Sequence, residues 1–246
     1  MQTPYEDNGE ASTPFWKQRS RLLAAGFLAA VLVLSLISLV TAGGSDGMDA
    51  QHTAPGLLSA QSASAHGRPG TCRTDDTDTS VPRSAPRDVQ WRTIGGTQVP
   101  TSPSAGPTLS EGPVLWCFAH TPMGAVMAAH VIPAQMSGPN WRTVAEEQVV
   151  AGFGRDMFAS QRASIPEASV KERETGRYAG FSLADYSRDK ATVVLLINTV
   201  QGGFNTTSLS VRWSGGDWKI EPGTDGGLHS TVSPVSGADG FVRWEV

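Results

Sequence analysis

An uninterrupted apolar run near the start of the chain constrains its organisation most strongly. Leu22–Val40 is nineteen residues without a charge, and the uncharged stretch continues to Ser45. At ~1.5 Å per residue, a helix of this length spans the ~30 Å hydrocarbon core of a bilayer. We therefore predict a single N-terminal transmembrane helix over residues 22–42, preceded by a tail of residues 1–21.

The charges on either side of the run predict its orientation. Lys17, Arg19 and Arg21 precede it, and the first charge after it is Asp46. By the positive-inside rule, the tail is cytoplasmic and everything after the helix lies outside the cell membrane. The alternative is a signal peptide cleaved after Ala42, although the run is longer than the usual 7–15 residues of a signal core. Both alternatives export the rest of the chain.

The composition changes twice after the apolar run. Residues 43–70 are rich in Gly, Ala and Ser without apolar periodicity, which is typical of a flexible tether. Six of the seven tryptophans follow, between Trp91 and Trp244. Because tryptophan needs a core to bury its large surface, we predict one extracytoplasmic domain over residues 71–246.

The overall charge argues against one class of partner. The formal net charge is −4 and charged residues make up 17% of the chain, below the roughly 25% of an ordinary soluble domain. No basic excess is present to hold a phosphate backbone, so we expect no nucleic acid partner.

The first half of the domain carries the helix signals. We expect short strands around 89–94 and 114–118, followed by a helix with Thr121 as N-cap and Pro122 at its first position. Pro133 is expected to end this helix early.

Two capping boxes predict further helices. Thr143-Val144-Ala145-Glu146 predicts a helix that stops near Gly152 and Gly154. Ser164-Ile165-Pro166-Glu167 predicts another helix, ending near Gly176.

The second half switches to strand patterns. Residues 178–186 precede a polar turn, and the continuous apolar strand 191–199 is expected to be buried on both faces. Residues 209–213 alternate as a half-buried strand, and Ser214-Gly215-Gly216-Asp217 predicts a hairpin turn. Helices followed by a meander of three to four antiparallel strands indicate an α+β fold.

The chain has two cysteines, Cys72 and Cys117, and both lie beyond the apolar run. In an oxidising compartment they are expected to form a disulfide that closes a loop of about 45 residues. Two separate buried thiols, or a reactive cysteine, are the alternatives.

Chemistry-bearing motifs are few. The sequence has no HExxH, P-loop, G-x-S-x-G or G-x-G-x-x-G pattern, so we expect no catalytic residues, no cofactor and no metal. His130 is expected to be a satisfied histidine rather than a base. Asp75, Asp76 and Asp78 favour a solvated turn over a calcium site, since the twelve-residue loop with its terminal Glu is missing.

The C-terminal strands resemble a known superfamily. The strand 191–199, a Gly-rich turn, SLSVRW and SGGDWKI are similar to the closing strands of the nuclear-transport-factor-like cone fold. The resemblance implies helices packed in the concave face of a curved antiparallel sheet. The residues that carry it are Trp213, Gly216, Asp217, Trp218, Lys219 and Ile220.

The layout of tail, anchor, tether and one such domain resembles the inner-membrane assembly proteins of type IV secretion and conjugation machines. The chain is also similar to actinobacterial conjugative-element proteins, in which a segment like FAHTPMGAVMAA follows a Gly- and Pro-rich lead-in. The positions that match here are Phe118, Ala119, His120, Thr121, Pro122 and Gly124. The chain departs from the larger relatives by having one cone-like unit rather than two, and by continuing 26 residues past Ile220. In that extension Phe241, Val242 and Trp244 are candidates for an edge strand or for packing on the domain.

The resemblance implies a non-enzymatic scaffold subunit of a conjugative-transfer channel. Its partners would be the cell membrane, other channel subunits and a second copy of the chain. One alternative is a module that binds the cell envelope through an exposed aromatic groove. The other is a cone-fold isomerase or dehydratase, whose available proton-transfer groups are His120, His130, Tyr178, Asp185 and Tyr186.

Overall fold

The computed structural model describes residues 67–166 and 176–244, which belong to one compact unit, Ala54–Val246. The predicted tail, the predicted transmembrane helix and most of the predicted tether lie outside these residues. Within the described ranges, no helix has both the length and the apolar character needed to cross a bilayer.

The described part of the chain is an α+β domain in which three helices pack on an antiparallel sheet. In chain order its elements are β1 (Gln90–Ile94), β2 (Thr97–Thr101), β3 (Leu109–Glu111), β4 (Val114–Trp116), α1 (Pro122–Gln135), α2 (Trp141–Gln148), α3 (Phe153–Ala163), β5 (Arg177–Tyr186), β6 (Lys190–Asn198), β7 (Phe204–Ser214), β8 (Asp217–Ile220), β9 (Ser233–Val235) and β10 (Val242–Arg243). The predicted short strands before the first helix are confirmed as β1 and β4.

The main sheet has the strand order β10-β5-β6-β7-β8, and β9 pairs with the start of β7. Strands β5 to β8 form the predicted antiparallel meander, and β9 and β10 extend it. The turn between β7 and β8 is the predicted one. Gly215 and Gly216 adopt φ values of 65° and 85° there, as a tight hairpin turn with two left-handed residues requires.

Helix α1 lies at the centre of the domain. It contacts β1, β2 and β4 as well as strands β5 to β8, and nearly all of its residues are buried. Thr121 caps it as predicted. Pro133 does not end it, because α1 continues to Gln135. A proline so close to the end removes one backbone hydrogen bond only, and burial of the last turn compensates for that loss.

The other two helices differ from their predictions. Helix α2 begins at Trp141, with Asn140 at the N-cap position, rather than at Thr143. The Trp141 side chain is only 2% exposed, so core packing outweighs the capping box. Helix α3 was not expected. Gly154 lies inside this helix, at a point where the backbone of Gly223 comes close. A Cβ at position 154 would come within 2.6 Å of the Gly223 carbonyl oxygen, so the position requires glycine.

Two further corrections concern the second half of the domain. Ser164, predicted to start a helix, is the C-cap of α3, and residues 167–175 of that predicted helix lie outside the described residues. In β6, Val193 and Leu195 are buried while Thr192 and Val194, which alternate with them, are half-buried. The opposite face is covered only in part, because Leu196 on that face is buried while Thr192 and Val194 are not.

The C-terminal extension joins the domain in both of the ways considered. Val242 and Arg243 pair with Phe181 and Gly180 as the edge strand β10. Trp244 is 4% exposed and packs against Phe181, with ring centroids 4.8 Å apart.

Candidate functional site

The two motifs predicted from the sequence lie against each other. We call this region the hairpin junction and define it as residues 67–78, 117–124 and 213–218. Its three segments meet at the turn between β7 and β8. Ten of the twelve motif residues named above belong to it: Phe118, Ala119, His120, Thr121, Pro122, Gly124, Trp213, Gly216, Asp217 and Trp218.

Asp217 joins the hairpin to the segment before α1. Its carboxylate accepts backbone N–H groups from Cys117 at 2.8 Å, from Phe118 at 3.0 Å and from Trp218 at 3.0 Å. The side chain is 1% exposed. Burial raises the pKa of Asp217 to about 6, against the opposing effect of the three N–H groups. The carboxylate is thus a buried link between positions 100 residues apart in the chain.

Two tryptophans of the hairpin bind the same segment. The indole Nε1 of Trp218 donates to the Ala119 carbonyl oxygen at 3.0 Å. Trp213 and Trp218 pair across the turn, with ring centroids 5.6 Å apart. The imidazole of His120 stacks on Trp213, with centroids 3.8 Å apart and 7° between the planes.

His120 is fixed on two more sides. Its ring Nε2 donates to the Arg188 carbonyl oxygen at 2.7 Å, and its backbone N–H donates to Asp76 at 2.7 Å. The loop after β5, the acidic segment and the hairpin therefore converge on this one residue.

The next positions turn the chain into α1. The Thr121 hydroxyl oxygen accepts the backbone N–H of Gly124 at 3.1 Å, and Pro122 occupies the first helical turn. A Cβ at Gly124 would lie 1.9 Å from the Ala119 carbonyl oxygen. Gly124 is therefore required by a close backbone approach.

The predicted disulfide between Cys72 and Cys117 is present, with the two Cα atoms 5.4 Å apart. Cys117 adopts a φ of 72°, an uncommon conformation for a residue with a Cβ. The backbone N–H of Arg68 donates to the Gly215 carbonyl oxygen at 2.8 Å. Contacts with the hairpin thus begin at least three residues before the predicted domain boundary at residue 71.

The acidic segment behaves as the predicted solvated turn. Asp75 accepts the N–H and hydroxyl groups of Thr77, and Asp78 accepts those of Ser80. These bonds lower the pKa of both carboxyls. Within residues 67–166 and 176–244, no cluster of three or more His, Cys, Asp or Glu side chains could hold a metal ion.

The five candidate proton-transfer residues do not converge on one site. His120 lies beside Trp213, while Asp185 is exposed near the end of β5. His130 contacts Tyr178 instead, with ring centroids 4.7 Å apart. Tyr186 lies nearer the hairpin, 6.3 Å from Trp218.

His130 is the satisfied core histidine that was expected. Its Nδ1 donates to the Val126 carbonyl oxygen at 2.8 Å, and its Nε2 accepts Nε1–H of Trp244 at 3.3 Å. Both bonds suit a single neutral tautomer. Burial lowers the pKa of His130 to about 4, and it raises the pKa of Tyr178 to about 12.

Sequence reasoning missed the buried polar links. Leu115 donates its N–H to Gln135, Gln135 donates to Gln148, and Gln148 donates back to the Leu115 carbonyl oxygen. This ring of bonds ties β4 to α1 and α2. The sequence signal for these bonds was Gln135, a single amide at the end of the apolar helix α1, because a buried amide needs hydrogen-bond partners.

Comparison with known proteins identifies a family without assigning an activity. Residues 51–243, more than three quarters of the chain, match the family described as a domain of unknown function, DUF8175. The match begins inside the segment predicted to be a tether. No curated protein and no solved structure matches the chain. The chain therefore belongs to the DUF8175 family.

Proposed function

We propose that this protein is a membrane-anchored, extracytoplasmic scaffold without enzymatic activity, and that it serves as a subunit of a conjugative-transfer or type IV secretion-like channel. The hairpin junction is the observation that carries the scaffold assignment. The conjugative assignment rests on the resemblance of layout and motifs given above.

The junction is built to hold a domain by its N-terminal end. Within the described residues, the segment at the N-terminal end of the domain is fixed by the bond from Arg68 to Gly215 and by the disulfide at Cys72. The disulfide partner, Cys117, is bonded in turn to Asp217. A pull along the N-terminal segment would thus reach both the β7–β8 hairpin and the segment that leads into α1.

The disulfide supports the extracytoplasmic location. Disulfides persist in oxidising compartments and are rare in the reducing cytosol. Cys72 and Cys117 are the only cysteines of the chain and both are used. This agrees with the orientation that the charges around the apolar run predict.

The cone-like curvature is the finer part of the fold proposal. Strand β5 has register shifts between Tyr178 and Gly180 and between Leu183 and Asp185. Irregularities of this kind bend a strand and increase its twist. With α1 lying across strands β5 to β8, the arrangement supports helices packed in the concave face of a curved sheet.

The envelope-binding alternative receives less support from the aromatic residues. Four of the six tryptophans of the domain, Trp116, Trp141, Trp218 and Trp244, are buried. Trp91 and Trp213 are half-buried, and Trp213 is covered by His120. The tryptophans in this part of the chain thus serve packing, and no row of exposed indoles is left for a polymer. A pull-down on cell-wall material that recovers the domain would revive this alternative.

Mating tests the channel assignment. We expect deletion of the gene from its element to reduce transfer and the full chain, supplied in trans, to restore it. A version in which a cleavable signal peptide replaces residues 1–42 would be exported without an anchor, and we expect it to fail. Undiminished transfer from the deletion strain would overturn the channel assignment.

A further inference from the structure

We propose that the domain binds an oxyanion group, a carboxylate or a phosphate, in a cavity at the start of β5 and beside β10. The cavity has a volume of about 290 Å³, close to the lower end of the range for small-molecule sites, roughly 300–1,000 Å³. Its described lining offers two guanidinium groups and no carboxylate. We call it the arginine pocket, and its lining includes Trp91, Gln98, Arg177, Tyr178, Asn198 and Arg243. The site is separate from the hairpin junction and goes beyond the scaffold role proposed above.

The pairing of the strands places two arginines and an asparagine on one face of the sheet. Arg177 pairs with Asn198 across β5 and β6. Two residues before Asn198, Leu196 pairs with Gly180, which in turn pairs with Arg243 on β10. Side chains lie on the same face when their residues are two apart on a strand, or directly opposite each other on neighbouring strands. Arg177, Asn198 and Arg243 therefore share one face.

Two contacts direct the Arg243 side chain across the strands toward Asn198. Its Nε donates to the Ala179 carbonyl oxygen at 3.1 Å. Its guanidinium carbon lies 5.2 Å from the centre of the Phe204 ring, and Phe204 pairs with Asn198 on the neighbouring strand. The terminal nitrogens of Arg243 form no hydrogen bond with the described residues, so they are available to an anion.

Neither arginine has a carboxylate partner among the described residues, whereas Arg212 of the same sheet pairs with Glu221. The Arg177 side chain forms no hydrogen bond or ion pair with any residue that the structure describes. A guanidinium group presents its N–H donors in a planar fork that matches two oxygens of a carboxylate or a phosphate. Two such groups beside one cavity therefore favour an anion over a neutral ligand.

Trp91 provides an independent observation. It lines the arginine pocket, and its Nε1–H is buried without an acceptor in the described part of the chain. Buried donors in folded proteins nearly always have a partner, and one that lacks it calls for an explanation such as a bound ion or water. An anion oxygen in the pocket would supply the missing acceptor.

Titration of the full chain with anions tests the site and does not depend on the channel assignment. Protein labelled with ¹⁵N at its tryptophan indoles, in micelles of an uncharged detergent, is titrated with sodium phosphate and, separately, with sodium acetate. Sodium chloride at equal ionic strength is the reference, and Trp91→Phe identifies the Trp91 signal in the NMR spectrum. We expect a saturable shift of that signal, and the anion that binds more tightly shows whether phosphate or carboxylate is preferred. Shifts no larger than those with chloride would overturn the proposal.

Matched variants test the role of the two arginines. R177Q/R243Q removes both guanidinium groups, and we expect it to weaken anion binding by about tenfold or more. R83Q/R87Q removes the same charge at two exposed arginines outside the site and should leave binding unchanged. Equal losses in the two double variants would indicate attraction to the overall charge alone and would contradict the proposal. If R177Q/R243Q does not fold, R177Q alone decides, because unchanged binding in that variant would also contradict it.

Discussion

Two buried groups give the domain opposing responses to pH, and this provides a sharp test of the hairpin junction. Asp217 has its pKa raised to about 6 from 3.8, because burial outweighs its three N–H donors. His130 has its pKa lowered to about 4 from 6.5, also by burial. Between pH 4 and 6, one group opposes the other in its effect on the free energy of unfolding.

The signs follow from proton linkage. In this range, folded Asp217 keeps a proton that the unfolded chain has lost, so its contribution to stability falls as pH rises. Folded His130 lacks a proton that the unfolded chain carries, so its contribution rises with pH. At its steepest, each slope is about 1.4 kcal/mol per pH unit. The two slopes nearly cancel in the native protein.

Single substitutions should expose each slope. In Asp217→Asn, only the histidine contribution remains, and between pH 4 and 6 stability should rise by about 2 kcal/mol more than it does in the unaltered domain. In His130→Gln, stability should instead fall across the same range by a similar amount relative to the unaltered domain. Asp239→Asn, at an exposed aspartate, is the matched control and should leave the profile unchanged.

Urea unfolding of residues 54–246, followed by tryptophan fluorescence at pH 4, 5 and 6, measures these slopes. The exposed carboxyls Asp75 and Asp78 titrate alike in every variant, so their effect cancels in the differences. Parallel profiles for the unaltered domain and Asp217→Asn would show that Asp217 is not buried as described.

Three other substitutions test the packing of the same region. Replacing Cys72 and Cys117 with serine should lower the free energy of unfolding by about 4 kcal/mol, and an equal midpoint of urea unfolding would contradict this. Gly124→Ala should destabilise the domain by at least about 1 kcal/mol, because the added Cβ forces the backbone to shift. Gly138→Ala is the control and should change stability little. Similar melting temperatures for the two variants would argue against the close approach at Gly124. Trp218→Phe removes one buried hydrogen bond and should cost about 1–3 kcal/mol, so an unchanged denaturation curve would count against that bond.

The elements that the sequence predicted correctly have local causes. The β7–β8 turn follows from two adjacent glycines, Gly215 and Gly216, between alternating apolar residues. The start of α1 follows from Thr121 and Pro122. The disulfide could be predicted because the chain has two cysteines and both were expected to be exported. The turn and the helix start could be predicted from residues that are close in sequence, and the disulfide from the number of cysteines in the chain.

The features that were missed depend on distant residues. Gly154 suggested the end of a helix, but it lies inside α3. Glycine is needed there because Pro222 and Gly223 pack against the helix at that position. Asp217 was identified as a turn residue, yet its partners, Cys117 and Phe118, lie about 100 residues away. Neither contact can be inferred before the topology is known.

The thiol state of the full chain in its own cells tests whether the domain is fastened by a disulfide at the hairpin junction, as expected for the proposed location outside the cytoplasm. Cells are quenched in acid, and the denatured protein is treated with a mass-tagged maleimide, with and without prior reduction. We expect no tag without reduction and two tags, on Cys72 and Cys117, after reduction. Two tags without reduction would contradict the disulfide and remove the support that it gives to an extracytoplasmic location.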